Sequence, residues 1–461
     1  MSRIDTEHPE YINFALRWTI MTDAFSDEDA VKLKNTEYLP KTGGMIANDH
    51  DGKRYDAYKL RARFPEITTQ AQTSMVGLIF ENDPVGESDD IISNTGQANK
   101  AFARDVVRAV AGKGRDILVI DAPTKEMGGG DPFIARYSAE SLINWKTVEG
   151  KPAEFTLAVF RETRPSDPDD IYGHETEVVF RRYLRVGAGV EVSLWQIVEE
   201  DEVLIGEPVM LPVKFMPIIA VGSIDSLPNC DPIPLLPVAR GALSYYRKSA
   251  DYEQSLHLHG QPTPWVSGIT EEQYNLILLQ GVGSGSLWHL GESGEGKAGF
   301  LSIDSALGEH RVAMEDDLKQ AESFAVRVTQ QSDTPESGVA IAKRAAAQHA
   351  SIYTIADSVS IAVTAAQRMR AAWAGQPEPE DFVLNAEIED DYAGEQMIQA
   401  LDSAINSGNA PQSAMFEAIR KTGLSEKSDD EMRSEIETTG GLTFGGDDDN
   451  EAEPVAVDAP S

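Results

Sequence analysis

Few residues in this 461-residue chain are of a type and spacing that could do chemistry, and each has a plainer reading beside the chemical one. His257-Leu-His259 offers two imidazoles two positions apart, which on a helix point about 200° apart and cannot share one metal ion. Gly281-Val-Gly-Ser-Gly285 has the glycine content of a phosphate-cradling turn, but no Lys-Ser or Lys-Thr follows and no apolar strand precedes it, so a simple turn is expected. The Gly-x-Ser-x-Gly elbow of a serine nucleophile does not occur. Glu315-Asp316-Asp317 falls on a predicted helix and Asp447-Asp448-Asp449 in the C-terminal tail. Neither has the glycine and glutamate pattern of a calcium loop, so both read as solvated acidic faces. Lys343 and Arg344 form a basic pair at the start of a long helix, where they are either solvent-facing ion-pair partners or contacts for a passing polyanion. No catalytic residue, metal ligand or cofactor is assigned, and enzymatic activity is not expected.

The composition sharpens that reading. A 41% hydrophobic content is enough for sizeable cores, and the length suggests about three domains. With 76 acidic against 40 basic residues the net charge is −36, which repels nucleic acid at long range and argues against a protein that grips DNA by neutralising phosphates. It leaves room for a surface past which DNA slides. The single cysteine, Cys230, rules out an intrachain disulfide and is expected to be a small, partly buried side chain. No stretch approaches the ~18 to 20 apolar residues of a membrane span, and no basic start leads into an apolar run, so no membrane partner is expected.

The elements that must position these residues follow from periodicity. Helices are predicted from Pro9 to Asn35, with Ile12, Ala15, Leu16 and Thr19 or Ile20 on one face, and from Tyr55 to Phe80 with a break at Pro65. Tyr38-Leu-Pro-Lys41, Gly43-Gly44 and Asp51-Gly52 predict a loop between them. Asn99 to Gly112 is amphipathic, with Phe102, Val106, Val107 and Val110 inward, and Ile117 to Asp121 reads as a buried strand. From Phe133 to Pro217 the period falls to two, predicting an antiparallel sheet among helices. A helix from Leu235 to about His259 carries Leu236, Ala239, Leu243, Tyr246 and Ala250 on its apolar side. Between Pro262 and Ile303 lies a small α/β module with a capped helix at Thr270-Glu-Glu-Gln-Tyr274. Asp304 to Gly375 reads as helix, polar break at Gln330 to Gly338, and helix. In the last of these, Ile341, Ala345, Ile352, Ile355, Val359, Ala362, Ala366, Met369 and Trp373 share one face, opposite Lys343, Arg344, Gln348, Asp357, Gln367, Arg368 and Arg370. A strand is predicted over Asp381 to Ile388, short helices from Ala393 to about Ile436, and a disordered acidic tail from Thr438.

In that order the parts resemble a tailed-bacteriophage portal protein, and more closely the portal-like phage family long known only as a domain of unknown function. The residues that carry the resemblance are Tyr38-Leu-Pro-Lys41, Tyr58-Lys-Leu-Arg-Ala-Arg-Phe64, Val76-Gly-Leu-Ile-Phe80, Gly114-Arg-Asp-Ile-Leu-Val-Ile-Asp121, Ile143-Asn-Trp145 and the proline-rich entry into Leu235. They extend over most of Tyr38 to Gly375. The chain departs from the family where Glu336-Ser-Gly338 replaces a Glu-Thr-Ala sequence.

The resemblance implies an α+β, predominantly helical portal fold of wing, stem, clip and crown, assembling as a ring typically of twelve subunits. Residues 1–234 would be the N-terminal helical and β-rich wing, 235–259 and 304–329 the stem helices, and 260–303 the clip. Residues 330–340 would be the tunnel loop, 341–392 the long helix and a wing strand, 393–437 the crown, and 438–461 the tail. It implies that Gln330, Gln331, Ser332, Thr334, Lys343 and Arg344 face double-stranded DNA. It implies that Thr270, Glu271, Tyr274 and Trp288 face the terminase large subunit and later the tail adaptors. The implied location is one vertex of the capsid, beside the major capsid or scaffolding protein, with assembly in the host cytoplasm. Two other readings stand beside it. One is a different phage structural or scaffold protein that encloses no DNA; the other is an enzyme such as a nucleotidyl hydrolase.

Overall fold

The computed structural model describes residues 3–123, 130–167, 169–170, 172–259, 263–281, 288, 290, 296–301, 307–325, 338–384, 401–405, 407, 411–421, 425 and 427–438. Helix and sheet are mixed, as the sequence predicts. The chain divides into a large unit, Met1–Gln330 with Ala350–Ala386, and a small one, Gln331–His349 with Glu387–Ser461.

The large unit opens with helices rather than the single helix expected over Pro9 to Asn35. α1 (Pro9–Ser26) stops because Asp27 turns to extended backbone, and its carboxylate caps α2 (Glu28–Leu33) by accepting the Ala30 amide at 2.7 Å. The inward face of α1 also differs from expectation. Ile12 and Leu16 are 59% and 62% exposed, while Tyr11, Trp18, Met21 and Ala24 are buried. The rings bring more apolar area, and both find partners for their polar atoms: Tyr11 donates to the Glu140 carbonyl and Trp18 to that of Lys113. The predicted loop at Gly43-Gly44 is instead α3 (Gly43–Asn48), capped by the Thr42 hydroxyl. α4 (Lys53–Arg61) and α5 (Ile67–Ile79) flank Pro65 as predicted.

α6 (Asn99–Lys113) buries Phe102, Val106, Val107 and Val110 and ends at Gly114, whose φ of +72° belongs to the left-handed region. A Cβ there would also stand 2.7 Å from the Asp231 carbonyl oxygen, so the turn into β1 (Arg115–Asp121) has room only for glycine. β1 is the centre of a three-stranded antiparallel sheet between β2 (Phe133–Ser138) and β8 (Ile218–Gly222). The expected single sheet over residues 133–217 is therefore two, because β2 pairs away from its successors. The second sheet is a five-stranded antiparallel meander: β3 (Leu142–Val148), β4 (Lys151–Pro165), β5 (Thr176–Val186), β6 (Gly189–Val198) and β7 (Asp201–Met210).

α7 (Leu236–His259) follows, then β9 (Thr263–Ser267), α8 (Glu271–Gln280), β10 (Lys297–Leu301) and α9 (Leu307–Ala325). α10 (Gly338–Ala374) is 37 residues long and ends at Gly375 with φ +67°, as its stop signal predicts. Its first three residues lie inside the stretch expected to be loop, so the helix starts about one turn early. Over residues 350–374 its buried side is wider than the apolar stripe, while Asp357 and Arg368 are exposed as predicted. Ser358, Ser360, Thr364 and Gln367 are buried along with Ile352, Ile355, Val359, Ala362 and Ala366. The hydroxyls find partners: Ser358 donates to the Gly222 carbonyl, Ser360 to that of Ala356 and accepts from the Leu384 amide, and Thr364 donates to the Phe382 carbonyl. Beyond it Val383 forms an antiparallel bridge with Val85, and residues 385–388 of the predicted strand lie outside the described residues.

In the small unit the helices Gln412–Lys421 and Asp429–Thr438 bury Phe416, Ala418 and Met432. Arg433 lies over the Phe416 ring and Arg420 pairs with Asp429. The tail beyond Thr438 lies outside the described residues.

Candidate functional site

The helices α7 and α9 run antiparallel. Gly241 faces Ala321 near one end of the contact, while seven residues further along α7 the Lys248 ammonium meets the Asp317 carboxylate at 2.8 Å and the Ala313 carbonyl at 3.3 Å. Gly241 sets the approach: a Cβ added there would stand 2.7 Å from the Ala321 methyl. The small side chains bring the backbones together, and Lys248 with Asp317 locks the register. Asp317, expected on a solvated acidic face with Glu315 and Asp316, is thus the partly buried member of an ion pair. On its other side α7 is held by α4. The Tyr58 hydroxyl donates to Asp251 at 2.6 Å, and burial together with that bond raises the Tyr58 pKa. Burial pushes Tyr246 up to about 12. Both phenols therefore stay neutral, hydroxyls rather than charges.

The module joining the two helices is a hairpin of β9 and β10, antiparallel with Trp265 opposite Gly299, plus α8. α8 starts at a full capping box: the Thr270 hydroxyl accepts the Gln273 amide and the Gln273 side chain accepts the Thr270 amide at 2.9 Å. Only Ile277 of α8 is buried. Leu276, Leu278 and Leu279 are exposed, Leu279 to 84%, and Trp265 and Phe300 of the hairpin are exposed as well. The module thus leaves several large apolar side chains in solvent.

Of the residues expected at the clip, Thr270, Glu271 and Tyr274 sit on the first turn of α8, with Glu271 and Tyr274 exposed. Trp288 lies at the other end, where its indole donates to the Gly281 carbonyl at 3.0 Å. The four are therefore split between the ends of a helix about 15 Å long. Thr270 and Trp288 use their polar atoms in local structure. The sequence reading passed over Leu276 to Leu279. The signal was present: four consecutive apolar residues point all round a helix, so a module this small cannot bury them all. It also passed over Gly291-Glu-Ser-Gly-Glu-Gly296-Lys297, which has the spacing of a phosphate loop. Ala298 stands where Ser or Thr would bind magnesium, and Lys297 opens strand β10, not a helix, so the phosphate-loop context is missing.

Gln330, Gln331, Ser332 and Thr334 lie outside the described residues. Lys343 and Arg344 belong to the first turns of α10 by backbone, and their side chains lie outside the described residues. His257 is exposed on the last turns of α7. No cluster of potential metal ligands occurs among the described residues, and no helix among them is long and apolar enough to cross a membrane. Cys230 is half-buried with its thiol pushed up to about 11, chiefly by burial, which makes it unreactive.

Residues 234–374 match the model of a family described as "Domain of unknown function (DUF4055)". The match begins two residues before α7 and ends on the last residue of α10, so it contains both antiparallel helices, the module between them and the long helix. The resemblance read in the sequence is borne out over that stretch. No curated protein matches the chain. Among solved structures it is similar to a chain titled "Neck of empty GTA particle computed with C6 symmetry", at 10% identity over 86% of this chain and 94% of that one, with a TM-score of 0.37. It is similar to one titled "Virion of native gene transfer agent (GTA) particle", at 12% identity over 86% and 99%, with a TM-score of 0.35. A third is titled "Neck of native GTA particle computed with C12 symmetry", at 12% identity over 84% and 94%, with a TM-score of 0.37.

Proposed function

We propose that this chain is the subunit of a phage portal: a ring at one capsid vertex through which genomic DNA is packaged and later ejected. Its role is structural, without catalysis. The observation that carries the reading is the run of elements from α7 to α10. Two helices closely packed in antiparallel fashion, 24 and 19 residues long, leave the wing and return to it, and present a small module with an exposed apolar face at their far end. A polar break and a 37-residue helix, its C-terminal half stitched to the wing by Ser358, Thr364 and Arg370, then follow. This is a lever with a fixed base and a sticky tip, the form a channel wall needs when its tip must dock other proteins.

In this reading α7 and α9 form the stem and β9, α8 and β10 the clip that meets terminase and then the tail adaptors. The polar break before Gly338 lies against DNA. Twelve copies of a chain with net charge −36 bring together −432 formal charges, so the wall repels DNA and the few basic residues bias its position without holding it. The wing faces the capsid or scaffolding protein.

Mass measurement of the purified assembly together with class-averaged electron micrographs tests the reading. An annular particle of about twelve chains with a central channel is expected from the resemblance. A monomer, or an assembly without a channel, overturns it in favour of another phage structural or scaffold protein.

A further inference from the structure

The N-terminal segment before α1 lies as a strap across one face of the five-stranded sheet, over a crevice of about 520 Å³. The Arg3 guanidinium donates to the Glu200 carbonyl in the β6–β7 turn at 3.3 Å, the Ile4 amide donates to Glu202, and the Glu7 carboxylate pairs with Arg161 of β4 at 2.7 Å. No residue from Arg3 to His8 is fully buried. Partly exposed ion pairs of this kind hold a segment weakly, so the strap depends on its last residue, His8.

His8 makes three contacts at once. Its amide donates to the Ile143 carbonyl of β3 at 2.8 Å, its ring stacks on Trp145 with centroids 3.9 Å apart, and its Nδ1 accepts the Glu10 amide at 3.3 Å as the N-cap of α1. The cap requires a neutral imidazole. A protonated Nδ1 is a donor and cannot accept the amide, and its charge would stand at the helix end where cations are disfavoured. The stack has the same requirement, because Trp145 is held between His8 and the buried guanidinium of Arg115. An imidazolium would set a second cation on a ring that already serves one.

The other charges around the ring do not reverse this. Glu10 favours the imidazolium, but its carboxylate already accepts the Cys230 amide at 3.0 Å. Glu7 is engaged by Arg161 and Glu202 by the Ile4 amide, while Lys146 of β3 and Arg182 of β5, which line the crevice together with His8, are cations. Burial lowers the His8 pKa from the ordinary 6.5, with Glu10 opposing the shift and Arg115 adding to it. A group whose pKa is lowered by folding contributes in full above its ordinary value and loses that contribution as pH falls below it.

We propose that His8 is a pH-sensitive latch: neutral, it caps α1 and pins the strap to the sheet; protonated, it releases the strap and bares Trp145. The latch uses neither stem nor clip, so the inference stands whether or not the chain forms a portal ring.

The test is hydrogen–deuterium exchange of the full-length protein, read by mass spectrometry from about pH 8 to about pH 5 and corrected for the intrinsic pH dependence of exchange. Protection of the amides of residues 4–12 is expected to fall at least threefold toward acid, while that of residues 115–121 in β1 does not fall. Asp116 on β1, its pKa raised to about 6, favours the fold toward acid and so works in the opposite sense. His8→Asn keeps a capping acceptor and has no proton to gain, and should show no such fall. Glu10→Gln removes the charge that favours the imidazolium, and should move the midpoint to lower pH. If His8→Asn leaves the strap unprotected even near pH 8, the Glu10→Gln shift alone decides. Constant protection in the wild type overturns the proposal, as does an equal fall in His8→Asn or an unmoved midpoint in Glu10→Gln. A parallel loss of protection in β1 overturns it too, since the chain would then be unfolding as a whole.

Discussion

The guanidinium carbon of Arg115 lies 4.8 Å from the centre of the Trp145 ring, in a site where the arginine is buried and has no carboxylate in contact among the described residues. Its charge is dispersed instead. It donates to the carbonyls of Ala139 at 2.7 Å, Leu142 at 3.1 Å and Pro228 at 3.4 Å, and the Trp18 ring is 5.2 Å away. One side chain therefore fastens the β2–β3 turn, the loop leading to α7, and α1. Burial lowers its pKa from the ordinary value, but arginine remains charged.

Arg115→Leu leaves three carbonyls without their donor and is expected to destabilise the chain by about 3 to 5 kcal/mol. Arg115→Lys keeps the charge but not the planar fork and should recover only part of that loss. Urea denaturation followed by tryptophan fluorescence checks both. A wild-type midpoint in Arg115→Leu would show that the carbonyl cluster does not need the guanidinium.

Gly241 makes the same kind of argument with less chemistry. Gly241→Ala sets a methyl 2.7 Å from that of Ala321, so α7 and α9 must separate or slide. Overpacking of this kind costs about 1 to 3 kcal/mol. A lowered melting temperature is expected, partly restored by the double change Gly241→Ala with Ala321→Gly. No coupling between the two sites in that cycle would show that the helices do not rely on this contact.

Burial raises the pKa of Asp116 to about 6 even with Arg136 at 2.7 Å, and one of its carboxylate oxygens has no hydrogen bond. An acid whose folded pKa exceeds its unfolded value favours the fold most below the unfolded pKa, and the contribution is lost as pH rises through the folded one. Asp116 should thus weaken the fold between about pH 4 and pH 6, by on the order of 3 kcal/mol. Asp116→Asn should remove that component, so the wild-type minus variant stability falls as pH rises across the window. A difference independent of pH would place the proton elsewhere.

Much of this frame is legible from spacing. Phe102, Val106 and Val110 of α6, the run Ile117 to Ile120, and Leu236, Ala239, Leu243, Tyr246 and Ala250 of α7 are all buried where periodicity puts them. It misleads in α1, where Ile12 and Leu16 make a better aliphatic stripe than Tyr11, Trp18 and Met21. The rings win because their polar atoms reach carbonyls far away in sequence, which no local pattern encodes. Arg115, which the strand predicted from Ile117 leaves out, becomes a buried hub for the same reason. The crevice under the N-terminal strap joins residues 3 to 202, and only the sheet register brings them to one face. Gly241 carries no signal distinguishing a packing glycine from a helix weakness until its neighbour is known.

The exposed leucines of α8 lead to a further prediction. Leu279→Asp adds charge at a side chain 84% exposed, so the folded subunit should be unaffected in melting temperature. Binding of terminase or tail adaptor in pull-down should fall at least tenfold if this face is where they dock. Unchanged binding would move docking to another face of the module.

Lys343 and Arg344 are consecutive on α10, so about 100° of helix separates their directions and at most a wide face can present both. They stand within the first two turns after the polar break, on a chain where acidic residues outnumber basic ones by 76 to 40. If that end of α10 borders the channel, they are among the few groups there that attract phosphate. Each Lys343→Glu or Arg344→Glu change shifts the charge by two per subunit, and ring symmetry multiplies the shift. Packaging or DNA retention, read as genome length per particle, is expected to fall in both variants. Ring assembly, read by mass and electron microscopy, is expected to stay normal, because the apolar contacts of the helix are untouched. Raising the salt concentration should narrow the gap between variant and wild type in a purified packaging reaction, since screening weakens long-range attraction and repulsion alike. Full-length genomes in particles of both variants would remove these two residues from the DNA path.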